Sequence, residues 1–151
     1  MLAAGNRAPD FTAPNQHGNT VSLADLLQAG PLLLYFYPAD FTPGCTREAC
    51  SLRDMHQQLL AAQVTVAGVS PQSPASHLAF AARYSLPFTL LCDPDKVIAR
   101  AYDVVGPLGF GVRRASFLVS TAVMIEDAIL ADLRIARHEE FFRKVAAAAR
   151  G

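Results

Sequence analysis

Three cysteines, Cys45, Cys50 and Cys92, are the thiols of this 151-residue chain, each a candidate for core filler, metal ligand or reactive group. Cys45 lies in the stretch Tyr37-Pro38-Ala39-Asp40-Phe41-Thr42-Pro43-Gly44-Cys45-Thr46-Arg47-Glu48-Ala49-Cys50, directly after an apolar run. Thr42 is a good N-cap, and Pro43 suits the first helical position because its missing N–H would be unpaired there anyway. Cys45 is thereby expected in the first turn of a helix, beside free backbone N–H groups and the positive end of the helix dipole. A free thiol is only about 3% thiolate at neutral pH, and the thiolate is the nucleophile. A helix N-terminus raises that fraction. Nucleophilic attack by such a sulfur also drives negative charge onto the departing atom. The Thr42 hydroxyl and nearby N–H groups are candidates to stabilise that charge. The competing structural reading of Cys45 is a small buried hydrophobe.

The elements that must hold these residues alternate between strand and helix. Phe11 to Ala13 and Thr20 to Ser22 flank a turn at Asn15-Gln16-His17-Gly18, a hairpin signal. Leu23 to Gln28 reads as a short helix stopped by Gly30 and Pro31. Leu32 to Tyr37 is a continuous apolar run, as expected of a strand buried on both faces. The pattern continues with a helix over 43–61, a strand over 64–69, a helix over 74–84, a strand over 89–92 and a helix over 96–102. An antiparallel pair, Ser116 to Val119 and Met124 to Leu130, is followed by a closing helix from His138 to Ala149. This order predicts an α/β fold with a central mixed sheet, helices on both faces and an N-terminal hairpin. One domain over 1–151 is expected from the length.

The pattern Pro38-x-x-x-Thr42-x-x-Cys45 resembles the peroxiredoxin active-site motif. The fuller stretch, Tyr-Pro followed by Thr-Pro-Gly-Cys-Thr-x-Glu-Ala-Cys, is similar to the Q-type subgroup, the bacterioferritin comigratory proteins. The resemblance extends to Ala8-Pro9-Asp10-Phe11, Val69-Ser70, Leu86-Pro87-Phe88, Asp93-Pro94-Asp95 and Arg114-Ala115-Ser116-Phe117. It implies a thioredoxin-like fold and a thiol-dependent peroxidase acting on hydrogen peroxide and organic hydroperoxides in antioxidant defence. Cys45 would be the peroxidatic cysteine, oxidised to a sulfenic acid. Thr42 would hydrogen-bond peroxide and sulfur, Pro38 would shield the sulfenate, and Arg114 would stabilise the thiolate and hold the peroxide. Glu48 would orient that arginine. Thioredoxin or a similar dithiol protein would return the electrons, and no prosthetic group is implied. Arg113 competes with Arg114, because neighbours in a strand face opposite sides and only one can reach Cys45; the Arg-x-Ser-Phe match favours Arg114.

Cys50 matches the resolving cysteine of part of the Q-type subgroup. Five residues of helix separate it from Cys45 by a rise of roughly 7.5 Å and a turn of about 140°. A disulfide wants its Cα atoms about 4.4–6.8 Å apart. The stripe Ala49, Leu52, His56, Leu59 shares the Cys45 side of the helix, and Cys50 points away from it. A catalytic Cys45–Cys50 pair therefore requires the helix start to melt in each cycle. The alternative is an inert Cys50, with an external thiol resolving Cys45. Cys92, at a strand end, reads as a core residue.

Acidic and basic residues balance at 13 each. No basic block offers a footprint for nucleic acid or an anionic membrane, and no apolar run reaches spanning length. The start Met1-Leu2-Ala3-Ala4-Gly5 lacks a signal-peptide pattern, so the cytosol is the expected compartment. A monomer is the expected state, as Q-type proteins often are monomeric. The four histidines show no ligand spacing, so no metal is expected; His17 and His138 read as solvated or capping. The turn at Ser120-Thr121-Ala122-Val123 lacks the positive-φ residue tight hairpins favour, so an odd shape is expected there, with Val123 and Met124 exposed. Phe41 and Phe110 are expected near the pocket, either favouring hydrophobic hydroperoxides or simply packing. Two other functions fit the cysteines. A thioredoxin-type disulfide oxidoreductase normally uses Cys-x-x-Cys, which this chain lacks. A redox sensor whose oxidised helix changes partner affinity would use the same residues.

Overall fold

Every residue from Leu32 to Tyr37 is buried, and this run organises the molecule. A computed structural model describes residues 1–148. The run forms β3 (Leu32–Phe36), the middle strand of a five-stranded sheet. The chain reaches it through β1 (Thr12–Pro14), β2 (Thr20–Ser22) and α1 (Leu23–Leu26). It continues through α2 (Pro43–Ala61), β4 (Thr65–Ser70), α3 (Pro74–Tyr84), β5 (Thr89–Cys92), α4 (Val97–Ala101), β6 (Ala115–Val119), β7 (Ile125–Leu130) and α5 (Ile135–Ala148). The sheet order is β5-β4-β3-β6-β7. β4 pairs parallel with both β3 and β5, while β6 is antiparallel to β3 and β7. The arrangement is thioredoxin-like, a mixed sheet with flanking helices and an N-terminal hairpin, as expected from the sequence.

Alternation along β3 divides its side chains between two cores. Leu32, Leu34 and Phe36 join Phe11, Tyr102 and Phe117 on one face. Leu33, Tyr35 and Tyr37 join Cys45, Ala49, Leu52, Phe80 and Phe142 on the other, under α2, α3 and α5. Alternation along β6 sends Arg114 and Ser116 to the second face and Ala115 and Phe117 to the first. The register Phe36↔Ala115 sets the start of β6 beside the end of β3. Arg114 thereby arrives where the chain leaves the sheet to begin α2.

Most strand and short-helix boundaries differ from the sequence expectation by one or two residues, and the largest difference is at α5. α5 begins at Ile135 rather than His138, because Ile135 has its own buried contacts and extends the apolar face by a turn. Ala149, the expected last residue of that helix, lies outside the described residues. The β6–β7 connection is irregular as expected, with a register shift at Leu118/Val119. The residue it drives to positive φ is Val123, at 64°, a conformation that a β-branched side chain resists. Bonds on both sides hold it: Val123 N–H donates to Ser120 O at 2.9 Å, and its own carbonyl accepts from Ala8 N–H at 2.9 Å. Val123 and Met124 are half-buried, which corrects the expectation of exposure, because the N-terminal segment covers them.

Gly68 is required by packing. A Cβ there would lie 2.8 Å from Tyr35 Cζ, and Tyr35 is fully buried among other aromatic rings. Gly68→Ala is expected to destabilise the fold by roughly 1–3 kcal/mol through overpacking, read as a lower urea midpoint with an unchanged slope.

Candidate active site

Thr42 has the extended backbone of an N-cap, and Pro43 opens the helix. The first backbone bond of α2 runs from Thr46 N–H to Thr42 O at 2.8 Å. The Gly44 and Cys45 N–H groups precede it and are the orphan donors every helix start carries. The Thr42 hydroxyl does not cap the helix. It donates to Ala39 O at 3.2 Å, which fixes its rotamer and leaves its lone pairs available.

Cys45 is 1% exposed. Arg114 Nη2 lies 3.3 Å from its sulfur, and Arg114 Nη1 donates to Glu48 Oε1 at 3.0 Å. The guanidinium is itself buried, so its charge acts at the sulfur with little screening. Arg113 points to the opposite side and pairs with Asp132 at 2.8 Å near the surface. Asp132 also accepts from the Arg114 backbone N–H at 3.1 Å, fixing the strand entry that aims the arginine. Gly44 makes the approach possible: a Cβ there would sit 3.1 Å from Arg114 Nη2 and 3.4 Å from Ile135 Cδ1. The sequence reading of Gly44 missed this role, although a glycine immediately before the nucleophile was its visible sign.

Glu48 is fully buried, and burial pushes its carboxyl up to about 8 despite the opposing pull of Arg114. Its second oxygen has no hydrogen-bond partner; His138 Nδ1, at 3.5 Å, is too distant for a good bond. His138 is buried, which corrects the expectation that it is solvated or capping. Its Nε2 donates to Ala131 O at 2.9 Å, and Ser116 Oγ lies 3.0 Å from its Nδ1. Burial pulls the imidazole down toward neutrality. His138 and Ser116 thus form a neutral backing to the Glu48–Arg114 pair.

Above the cysteine lies an open depression of about 480 Å³, lined by Pro38, Thr42, Gly44, Arg114, Leu133 and Ile135 among others. Pro38 is exposed at its rim. Phe110 is exposed and lines an adjoining depression that shares Pro38. Phe41 turns away toward α3, its ring centroid 5.1 Å from that of Phe80. Phe41 also adopts φ 67°, a strain of roughly 1–3 kcal/mol for a bulky residue.

Cys50 is half-buried within the unbroken α2 helix. Helix geometry sets its Cα about 8.7 Å from that of Cys45, outside disulfide range. Arg47 holds Glu139 of α5 at 2.6 Å, and Ser51 also donates to Glu139, so unwinding this turn would work against contacts with α5. Cys92 is buried. Burial, with a smaller contribution from Asp40, pushes its thiol up to about 11.

The AhpC/TSA family pattern matches residues 4–128. The chain is 43% identical over 124 residues to a putative peroxiredoxin bcp of Coxiella burnetii, covering 78% of this chain and 82% of that protein. It is 40% identical over 124 residues to peroxiredoxin Bcp of Bacillus subtilis, covering 78% of each. Peroxidoxin BcpB of Mycobacterium tuberculosis superposes with a TM-score of 0.92 at 30% identity over the whole of both chains. A bacterioferritin comigratory protein of Xanthomonas campestris, whose structure is described in terms of alkyl peroxide reduction, superposes with a TM-score of 0.83 at 28% identity over 92% of each chain.

Two outcomes are expected. Gly44→Ala should displace Arg114 and slow alkylation of Cys45 by iodoacetamide while leaving the melting temperature nearly unchanged. Glu48 is held above its ordinary value of 4.5, so its contribution to stability is full below about pH 4.5 and is lost as pH rises through about 8. Across that window the unfolding free energy should fall as pH rises. Urea titrations at successive pH values should show this slope in wild type and its loss in Glu48→Gln.

Proposed function

This chain belongs to the AhpC/TSA family as a peroxiredoxin of the Bcp/Q type, a thiol-dependent peroxidase, and we propose that Cys45 is its peroxidatic cysteine. The observation that carries this assignment is the Arg114 guanidinium 3.3 Å from the Cys45 sulfur. The Cys45 thiolate attacks one peroxide oxygen and the O–O bond breaks. The other oxygen departs with the bonding pair, takes a proton, and leaves as water or alcohol. Cys45 is then a sulfenic acid. Arg114 and the Gly44 and Cys45 N–H groups are the donors toward the peroxide oxygens, and the Thr42 hydroxyl, whose hydrogen goes to Ala39 O, is placed to accept from the peroxide O–H. Pro38, at the rim, limits water around the sulfenate. Glu48 fixes the guanidinium through the bond from Arg114 Nη1 to its Oε1.

Cys50 resolves the sulfenic acid in this proposal. Its thiol attacks the Cys45 sulfur and releases water, giving a disulfide after the first turns of α2 unwind. A thioredoxin-like dithiol protein then reduces the disulfide. Organic hydroperoxides are substrates alongside hydrogen peroxide. The apolar side chains of Leu133 and Ile135 beside the depression and the Xanthomonas campestris relative's alkyl peroxide activity support that assignment.

Peptide mass spectrometry after one equivalent of hydrogen peroxide tests the assignment. A Cys45–Cys50 disulfide is expected in wild type, and a Cys45 sulfenic acid in Cys50→Ser. Oxidation of Cys45 without a bridge would assign resolution to an external thiol. A reduced Cys45 beside an oxidised Cys92 would overturn the site. Thr42→Val should lower the peroxide rate constant and leave the reaction of the preformed disulfide with dithiothreitol unchanged.

A further inference from the structure

Asp40 sits in the loop between β3 and α2, two residues before the helix cap, yet its side chain is fully buried. Its Oδ1 accepts from the Tyr37 hydroxyl at 2.7 Å. Its Oδ2 accepts from the Ser76 hydroxyl at 2.7 Å and faces His77 Nδ1 at 2.7 Å. His77 is also fully buried, and its Nε2 donates to Leu91 O at 2.9 Å. One proton lies between His77 and Asp40 and another on Nε2, so every polar atom of the pair is satisfied. The catalytic sequence described above uses none of these groups.

The cluster joins the active-site loop to α3 and β5, neither of which has to move when α2 unwinds. A buried polar pair is a poor source of stability, since apolar replacements are often as stable. What it supplies is a fixed position. The same loop carries the left-handed Phe41, with its ring on Phe80, so the conformation being held is a strained one.

We propose that His77 and Asp40 are positioning residues: they form a latch that holds the Pro38–Thr42 loop over Cys45 and sets how readily the helix start unwinds. The latch keeps Thr42 and Pro38 in place for peroxide attack. It opposes the unwinding that brings Cys45 to Cys50. This second consequence rests on the Cys50 assignment; the first does not.

Stopped-flow kinetics on Ser76→Ala, Asp40→Asn and wild type test the latch, with hydrogen exchange of the amides from Asp40 to Thr46 measured alongside. Ser76→Ala removes one hydrogen bond to Asp40 and serves if Asp40→Asn folds poorly. For Ser76→Ala, peroxide oxidation of Cys45 should slow by roughly 2–10-fold and disulfide formation should quicken by a similar factor. Loop amides should exchange faster while those of β3 and β4 keep their wild-type protection. If no Cys45–Cys50 disulfide forms even in wild type, the resolving assignment fails, and the oxidation rate and loop exchange still decide the latch. Variants that melt at a lower temperature but keep wild-type oxidation rates and loop exchange would overturn the proposal. A parallel fall in oxidation and resolution, with sheet protection lost, would also overturn it, since that is what a merely structural role predicts.

Discussion

A buried arginine held between a sulfur and a carboxyl is the constraint on which the rest of the structure depends. Arg114 cannot leave its charge unpartnered inside the protein. The fold offers it two acceptors, Cys45 Sγ and Glu48 Oε1. If both carried full negative charge, burial would penalise the site. Burial pushes the Glu48 carboxyl up to about 8 against the pull of Arg114, so the two acceptors do not weigh equally on the guanidinium. The neutral His138–Ser116 pair behind Glu48 adds no competing charge. The antiparallel β3–β6 register and the absence of a side chain at Gly44 let the three groups meet.

On the proposed roles of Cys45 and Cys50, the same site has to satisfy opposed demands. Peroxide attack needs a rigid helix start with its donors aligned, whereas a Cys45–Cys50 bridge needs that start to come apart. Contacts that resist unwinding lie on both sides of the nucleophile. Glu139 of α5 takes Arg47 and Ser51 from one side of the turn, and the Asp40–His77 cluster takes the loop on the other. Strain at Phe41 works in the opposite direction. Low local stability in a functional segment is what such a balance produces.

Much of this was legible in the residues. The Leu32–Tyr37 run marked the central strand because burial on both faces leaves no polar positions. Thr42-Pro43 marked the start of α2, and Pro43–Ala61 and Pro74–Tyr84 match their expected bounds. The choice of Arg114 over Arg113 followed from strand alternation joined to a motif, and the geometry puts Arg114 on the sulfur. Burial of polar side chains was not legible. His77, His138 and Asp40 are ordinary surface residues by type, and their burial depends on partners far along the chain. Val123 at positive φ escaped for a similar reason: besides the bond to Ser120 within its own turn, it is held by Ala8 from the far N-terminal segment.

The most direct measurement is the single-turnover rate constant for oxidation of Cys45 by hydrogen peroxide in wild type and Arg114→Met, with hydrogen exchange confirming that the variant is folded. The account predicts a rate roughly 10²–10³-fold lower in the variant, the usual effect of removing a preorganised donor from a developing charge. An unchanged rate in a folded variant would contradict it, because the buried guanidinium would then have no part in activating the sulfur.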